Sequence, residues 1–101
     1  MAEDSIRLDR FLWFARLARS RSDAQAMCEK GTLRLDGRRI ERSAAAVRVG
    51  SVIVFALRGT VHALRVEALP RRRGPPTEAA ALYTPLEIQS SKSVDAAGAS
   101  A

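Results

Sequence analysis

The sequence predicts an α+β fold in a single small domain, two helices leading into a small, mostly antiparallel sheet. Apolar residues keep helical spacing as far as Cys28 and alternate from Thr32 onward. The turn residues Asp36-Gly37, Gly50-Ser51 and Arg58-Gly59-Thr60 divide the alternating part into short strands. A length of 101 residues, 47% hydrophobic and 28% charged, is ordinary for one globular domain.

Residues 1–6 read as a loose leader. Leu8, Phe11, Leu12 and Ala15 then share one helical face, while Arg10, Trp13, Arg16 and Leu17 point elsewhere. A break is expected at Arg19-Ser20. A second helix follows, with Ser20 and Asp23, or Ser22 and Gln25, at capping-box spacing. Ala24, Met27 and Cys28 give it a small inward face, and Gly31 suits its end. The two helices form a tight hairpin.

Thr32 to Leu35 alternates, Asp36-Gly37 is a hairpin turn, and Arg38-Arg39-Ile40 returns. Residues 41–46 connect to Val47 and Val49. Val52 to Leu57 reads as a strand that is apolar on both faces, and Val61 to Leu69 as the last strand, closed by Pro70. The expected order is α-α-β-β-β-β. Arg71-Arg72-Arg73-Gly74-Pro75-Pro76 cannot sustain regular structure. Thr77 is placed to cap a short helix running through Glu78, Ala79, Leu82 and Tyr83 before Pro85. From Gln89 the composition predicts disorder. The expected division is a domain over 6–69, a basic, Pro-rich linker with a short helix over 70–88, and a tail over 89–101.

Charge is distributed unevenly. Residues 5–73 hold 16 of the 17 basic groups against six acids, a net +10, and the flanks 1–4 and 74–101 carry −2 each. All but Lys30 of those 16 are arginines, whose planar forks match phosphate oxygens and stack on bases. A basic core between acidic ends favours a nucleic-acid partner, although arginine-rich codon usage alone yields a similar composition. One cysteine, Cys28, excludes a disulfide framework and a finger-type zinc site. The single histidine, His62, has no nucleophile at recognisable spacing, and no metal, cofactor or phosphate-loop motif is present. No enzyme site can be assembled from these residues, and no small-molecule substrate is expected. No apolar run reaches the roughly 20 residues of a membrane span, and the acidic start Met-Ala-Glu-Asp-Ser carries no apolar signal-peptide core. A cytoplasmic monomer is expected.

The strongest constellation is a pair of helix starts beside a basic turn: Arg7, Arg10, Arg16, Arg19 and Arg21, with the hydroxyls of Ser20 and Ser22. Guanidinium forks and open helix amides together make a phosphate clamp. Any one of these arginines, taken alone, reads better as a solvated helix face; the cluster as a whole favours nucleic-acid contact. Arg34, Arg38 and Arg39 flank the hairpin turn, where they either extend the basic surface or keep an edge hairpin soluble. Trp13 lies off the buried face; packing under the C-terminal segment near Leu82 and Tyr83 is favoured over stacking on an unpaired base.

Three stretches together resemble a known family. Arg7-Leu8-Asp9-Arg10-Phe11-Leu12, Ser20-Arg21-Ser22-Asp23-Ala24-Gln25 and Gly31-Thr32-Leu33-Arg34-Leu35-Asp36-Gly37-Arg38-Arg39-Ile40 look like the RNA-binding domain first described in ribosomal protein S-four. Val47-Arg48-Val49-Gly50-Ser51-Val52-Ile53 resembles its closing strand. The resemblance implies an α-L motif, two helices and a β-hairpin that present RNA-binding residues while packed on a small sheet. Leu12-Trp13-Phe14-Ala15-Arg16 and the segment from Arg72 to Tyr83 are similar to the bacterial heat-shock protein fifteen family, which is ribosome-associated. That likeness implies a stand-alone copy of the domain acting in recycling or quality control of blocked large subunits after stress. The implied partners are ribosomal RNA of the large subunit and the peptidyl-tRNA on it. The implied RNA surface is Arg7, Arg10, Arg16, Arg19, Arg21, Ser22, Gln25, Arg34, Arg38 and Arg39. Asp36-Gly37 replaces the domain's usual Asn-Gly, which sets a negative charge near that surface. The competing reading is an accessory module that targets a separate RNA-modifying enzyme by protein contact, with Trp13, Leu17 and Tyr83 as its apolar patch.

Overall fold

Leu8, Phe11 and Leu12 recur on one side of a seven-residue helix, α1 (Leu8–Phe14), and all three are fully buried. A helix this short forms only with tertiary support. Its first amides are taken by the connector that follows the hairpin: Leu8 N donates to Ala45 O at 2.8 Å and Asp9 N to Ser43 O at 3.1 Å. The computed structural model describes residues 4–57 and 59–86; the predicted tail over 89–101 lies outside them.

The second helix, α2 (Arg21–Glu29), starts at Ser20, whose Oγ accepts from Asp23 N at 3.0 Å. Of the two capping pairs that the sequence allows, the one at Ser20 forms. Ala24 and Cys28 face the core, and Gly31, at φ +80°, turns the chain out of the helix.

Strands β2 (Leu33–Leu35) and β3 (Arg38–Ile40) make the predicted hairpin, with Leu35 paired to Arg38. Asp36 and Gly37 have φ of +53° and +84°, the positive pair that a two-residue type I′ turn needs. Strands β5 (Val52–Leu57) and β6 (Thr60–Val66) pair from Val52 with Arg65 to Leu57 with Thr60. The main sheet has the order β3-β2-β5-β6-β7, antiparallel throughout, with β7 at Tyr83–Leu86. A separate two-stranded ribbon pairs β1 (Ile6–Arg7) with β4 (Ala46–Val47). Leu33, Leu35, Ile53, Phe55, Leu64 and Val66 close the core against the two helices.

The α+β class holds, and several element boundaries differ from expectation. Ile6 is not leader but pairs with Val47. α1 ends at Phe14, before the predicted break, because Leu17 N and Ala18 N both turn back to Leu12 O. β6 stops at Val66, since Glu67 N and Ala68 N donate to Leu82 O. The C-terminal helix, α3, is only Pro76–Ala80 and starts after Pro75, with no cap from Thr77. Tyr83 and Pro85 instead enter β7, at a sheet edge, where a proline costs no ladder bond.

Candidate nucleic-acid interface

The starts of α1 and α2 lie side by side and enclose a cleft of about 200 Å³ lined by Arg7, Asp9, Arg10, Arg21 and Gln25. Arg21 and Gln25 are one helical turn apart, so both face it. Asp9 organises the cleft from beneath. Its buried carboxylate accepts from Arg7 Nε and Nη2, both at 3.1 Å, and from the Arg10 amide at 2.7 Å. That bidentate bond and the adjacent negative charge raise the Arg7 pKa further. Arg7 is thus a fixed wall, while the exposed Arg10 side chain has no ion pair with another described residue. Arg10 also borders a neighbouring cleft that includes Leu69, Pro70 and Arg71.

At the α1 start the amides are not open, since Ala45, Ser43 and Asp9 take those of Leu8, Asp9 and Arg10. At the α2 start the Ser20 hydroxyl takes the Asp23 amide. Ser22 is exposed on the first turn of α2.

Arg16 and Arg19 lie apart from this cleft and line a different groove, along another face of α2. Arg16 has φ +62°, uncommon for a side-chain-bearing residue. Its Nε donates to Gly74 O at 2.7 Å, and Arg73 Nε donates to Trp13 O at 3.0 Å. Trp13 is half-buried against the core, with the guanidiniums of Arg21 and Arg73 over its ring at 4.7 and 5.4 Å. Arg73 is the residue of the C-terminal segment that bonds to Trp13, while Leu82 and Tyr83, the expected neighbours, pack against the same core.

On the hairpin, Arg34 and Arg39 are direct cross-strand partners. Arg39 is held by Gly31 O at 2.7 Å and Glu41 at 3.2 Å. Arg38 is exposed on the edge strand. The Asp36 carboxylate is engaged with Val52 N at 2.8 Å, so it ties the turn to β5. The ten predicted residues thus divide among the cleft, the groove beyond α2, the exposed first turn of α2 and the hairpin.

Three residues were missed. Asp9 had no signal beyond its place between two arginines. Arg71 and Arg73 stood in a visible arginine run but were read as linker. His62 stacks on Phe55 at 5.4 Å, and Cys28 is buried. Among the described residues no cluster of three His, Cys, Asp or Glu could hold a metal ion, and no helix is long and apolar enough to cross a membrane.

Residues 6–53 match the S4 domain family. The chain is 38% identical over 88 residues to a heat shock protein 15 homolog of Haemophilus influenzae, covering 86% of this chain and 66% of that protein. It is 32% identical over 78 residues to heat shock protein 15 of Escherichia coli, covering 77% of this chain and 58% of the relative. The chain therefore spans about two thirds or less of the length of these relatives. A trimeric structure of Vibrio cholerae heat shock protein 15 superposes with a TM-score of 0.77 at 29% identity, covering 82% of this chain and 83% of that one. The chain belongs to the S4-domain proteins and is homologous to heat shock protein 15.

Proposed function

We propose that this protein binds structured RNA through the cleft between the helix starts and acts, without catalysing a reaction, on the large ribosomal subunit. The observation that carries the reading is the convergence of Arg7, Arg10, Arg21 and Gln25 on one cleft, with Arg10 free of any ion pair among the described residues. Guanidinium forks on a rigid frame read backbone shape better than base sequence. The S4 domain and the homology to heat shock protein 15 support an RNA-binding, ribosome-associated role. The finer assignment is recycling or quality control of large subunits blocked by peptidyl-tRNA, in the cytoplasm. The cleft is complete within one chain, which supports a monomer as the binding unit. Trp13, Leu17 and Tyr83 are partly buried against the core, and Leu17 lines a groove without Trp13 or Tyr83, so the three do not form the single apolar patch that a protein-docking module would use.

The test is to bind labelled protein, at one salt concentration, to purified large subunits, small subunits, whole ribosomes and large subunits carrying peptidyl-tRNA. The blocked large subunit should bind tightest. Equal affinity for all four would leave only a generic RNA binder, and preference for the small subunit would overturn the assignment.

A further inference from the structure

The groove beyond α2 has a composition unlike that of the cleft. It holds about 470 Å³ between the α1–α2 loop, α2, the end of β5 and Arg73. Its floor is apolar: Leu17, Ala18, Ala26, Met27 and Leu57. Its rim is basic: Arg16, Arg19, Lys30 and Arg73, against the single acid Asp23. Asp23, Ala26, Met27 and Lys30 fall on one face of α2, turned away from the Arg21/Gln25 face. One short helix therefore separates this groove from the cleft, and of these two only the groove has apolar lining residues.

The rim is held in place. Arg16 is locked at its positive φ by the bond to Gly74, and Arg73 by the bond to Trp13 O and by its ring contact. Each of these two guanidiniums commits its Nε to a carbonyl, which leaves its terminal amino groups for another acceptor. Lys30, the C-cap of α2, has no ion pair among the described residues. The lining matches a ligand with an apolar body and negative charge at its edge. A single unpaired nucleotide has both.

We propose that this groove is a second RNA site that takes one unpaired nucleotide, its base on Leu17, Met27 and Leu57 and its phosphates among Arg16, Arg19, Lys30 and Arg73. The inference rests on the RNA-binding reading and adds a preference for irregular over fully paired RNA. Lys30, Leu57 and Arg73, outside the predicted RNA surface, become contact residues.

The experiment compares two hairpin RNAs, identical except that one carries a single unpaired nucleotide in its stem. Affinities for the full chain are measured while the methyl signals of Leu17, Met27 and Leu57 are followed by NMR. The bulged RNA should bind about tenfold tighter, and these methyls should shift with it alone. Lys30→Gln and, separately, Leu57→Asp should remove the preference while paired-RNA binding persists; both positions are exposed, and circular dichroism checks their folding. Equal affinities with unmoved methyls would overturn the second site and leave RNA binding intact. Binding of neither RNA would remove the RNA-binding reading itself. Methyl shifts produced by an acidic peptide and by neither RNA would overturn the proposal in favour of a protein-docking groove.

Discussion

Arg34 lies directly across the β2–β3 hairpin from Arg39, so two like charges share one face of the sheet on neighbouring strands. Such a pair is unfavourable by itself. Arg39 is relieved by Gly31 O and Glu41, and Arg34 has no such partner among the described residues. Arg34→Gln should therefore leave the thermal midpoint unchanged or slightly higher and weaken RNA binding. A fall in the midpoint, measured by circular dichroism, would show that Arg34 is a structural residue.

Binding should be strongly salt-dependent. If about five to seven arginines neutralise phosphates, log affinity should fall against log salt with a slope of about −4 to −6. Fluorescence anisotropy between low and moderate salt measures it, and a slope near zero would exclude the guanidinium mechanism.

The cleft and the core should separate cleanly by mutation. Arg10→Gln with Arg21→Gln should lower RNA affinity about tenfold or more. The cost in stability should be small, since exposed substitutions are usually worth less than about 0.5 kcal/mol each. Leu12→Ala empties a fully buried site and should cost about 2–4 kcal/mol. Denaturant titration with binding isotherms on the same preparations tests both.

Arg16 should be sensitive in a diagnostic way. Both Arg16→Ala and Arg16→Gly lose the bond to Gly74, but only glycine relaxes at φ +62°. Arg16→Gly should therefore be the more stable of the two, by about 1 kcal/mol. The reverse order in urea unfolding would mean that the loop rearranges when the arginine is removed.

Burial pushes the Cys28 thiol up to about 12. The folded state holds the protonated thiol, and the unfolded chain ionises near the ordinary value. The contribution of Cys28 to stability is therefore complete below about pH 8.5 and is lost as pH rises toward 12. A thiol reagent at pH 8 should modify the native protein only as fast as the core opens, and Cys28→Ala should flatten the alkaline limb of the stability curve.

Local features were legible in the sequence and distant ones were not. The Leu8, Phe11, Leu12 face, the Ser20 cap and the Asp36-Gly37 turn depend on residues within about one helical turn of each other, and all three formed. The ribbon of Ile6 with Val47 and the edge strand through Pro85 depend on partners far along the chain, and two or four residues carry too little pattern to announce a strand. The site followed the same division. Position and charge identified the arginines, but not which of them the fold engages. Arg7 is paired two residues away and Arg16 is bonded 58 residues away, and neither bond leaves a mark on spacing.

The two crossed bonds, Arg16 to Gly74 and Arg73 to Trp13, join positions separated by 58 and 60 residues. Contacts of that range close late, because the intervening chain must be ordered first. During synthesis the loop between the helices stays unlatched until Gly74 has left the ribosome. The helices and hairpin that carry the basic residues are made well before the latch that sets Trp13, Arg16 and the stack above them. The loop that carries Trp13 and Arg16 thus takes its final form later in synthesis than the two helices it joins and the hairpin that follows them.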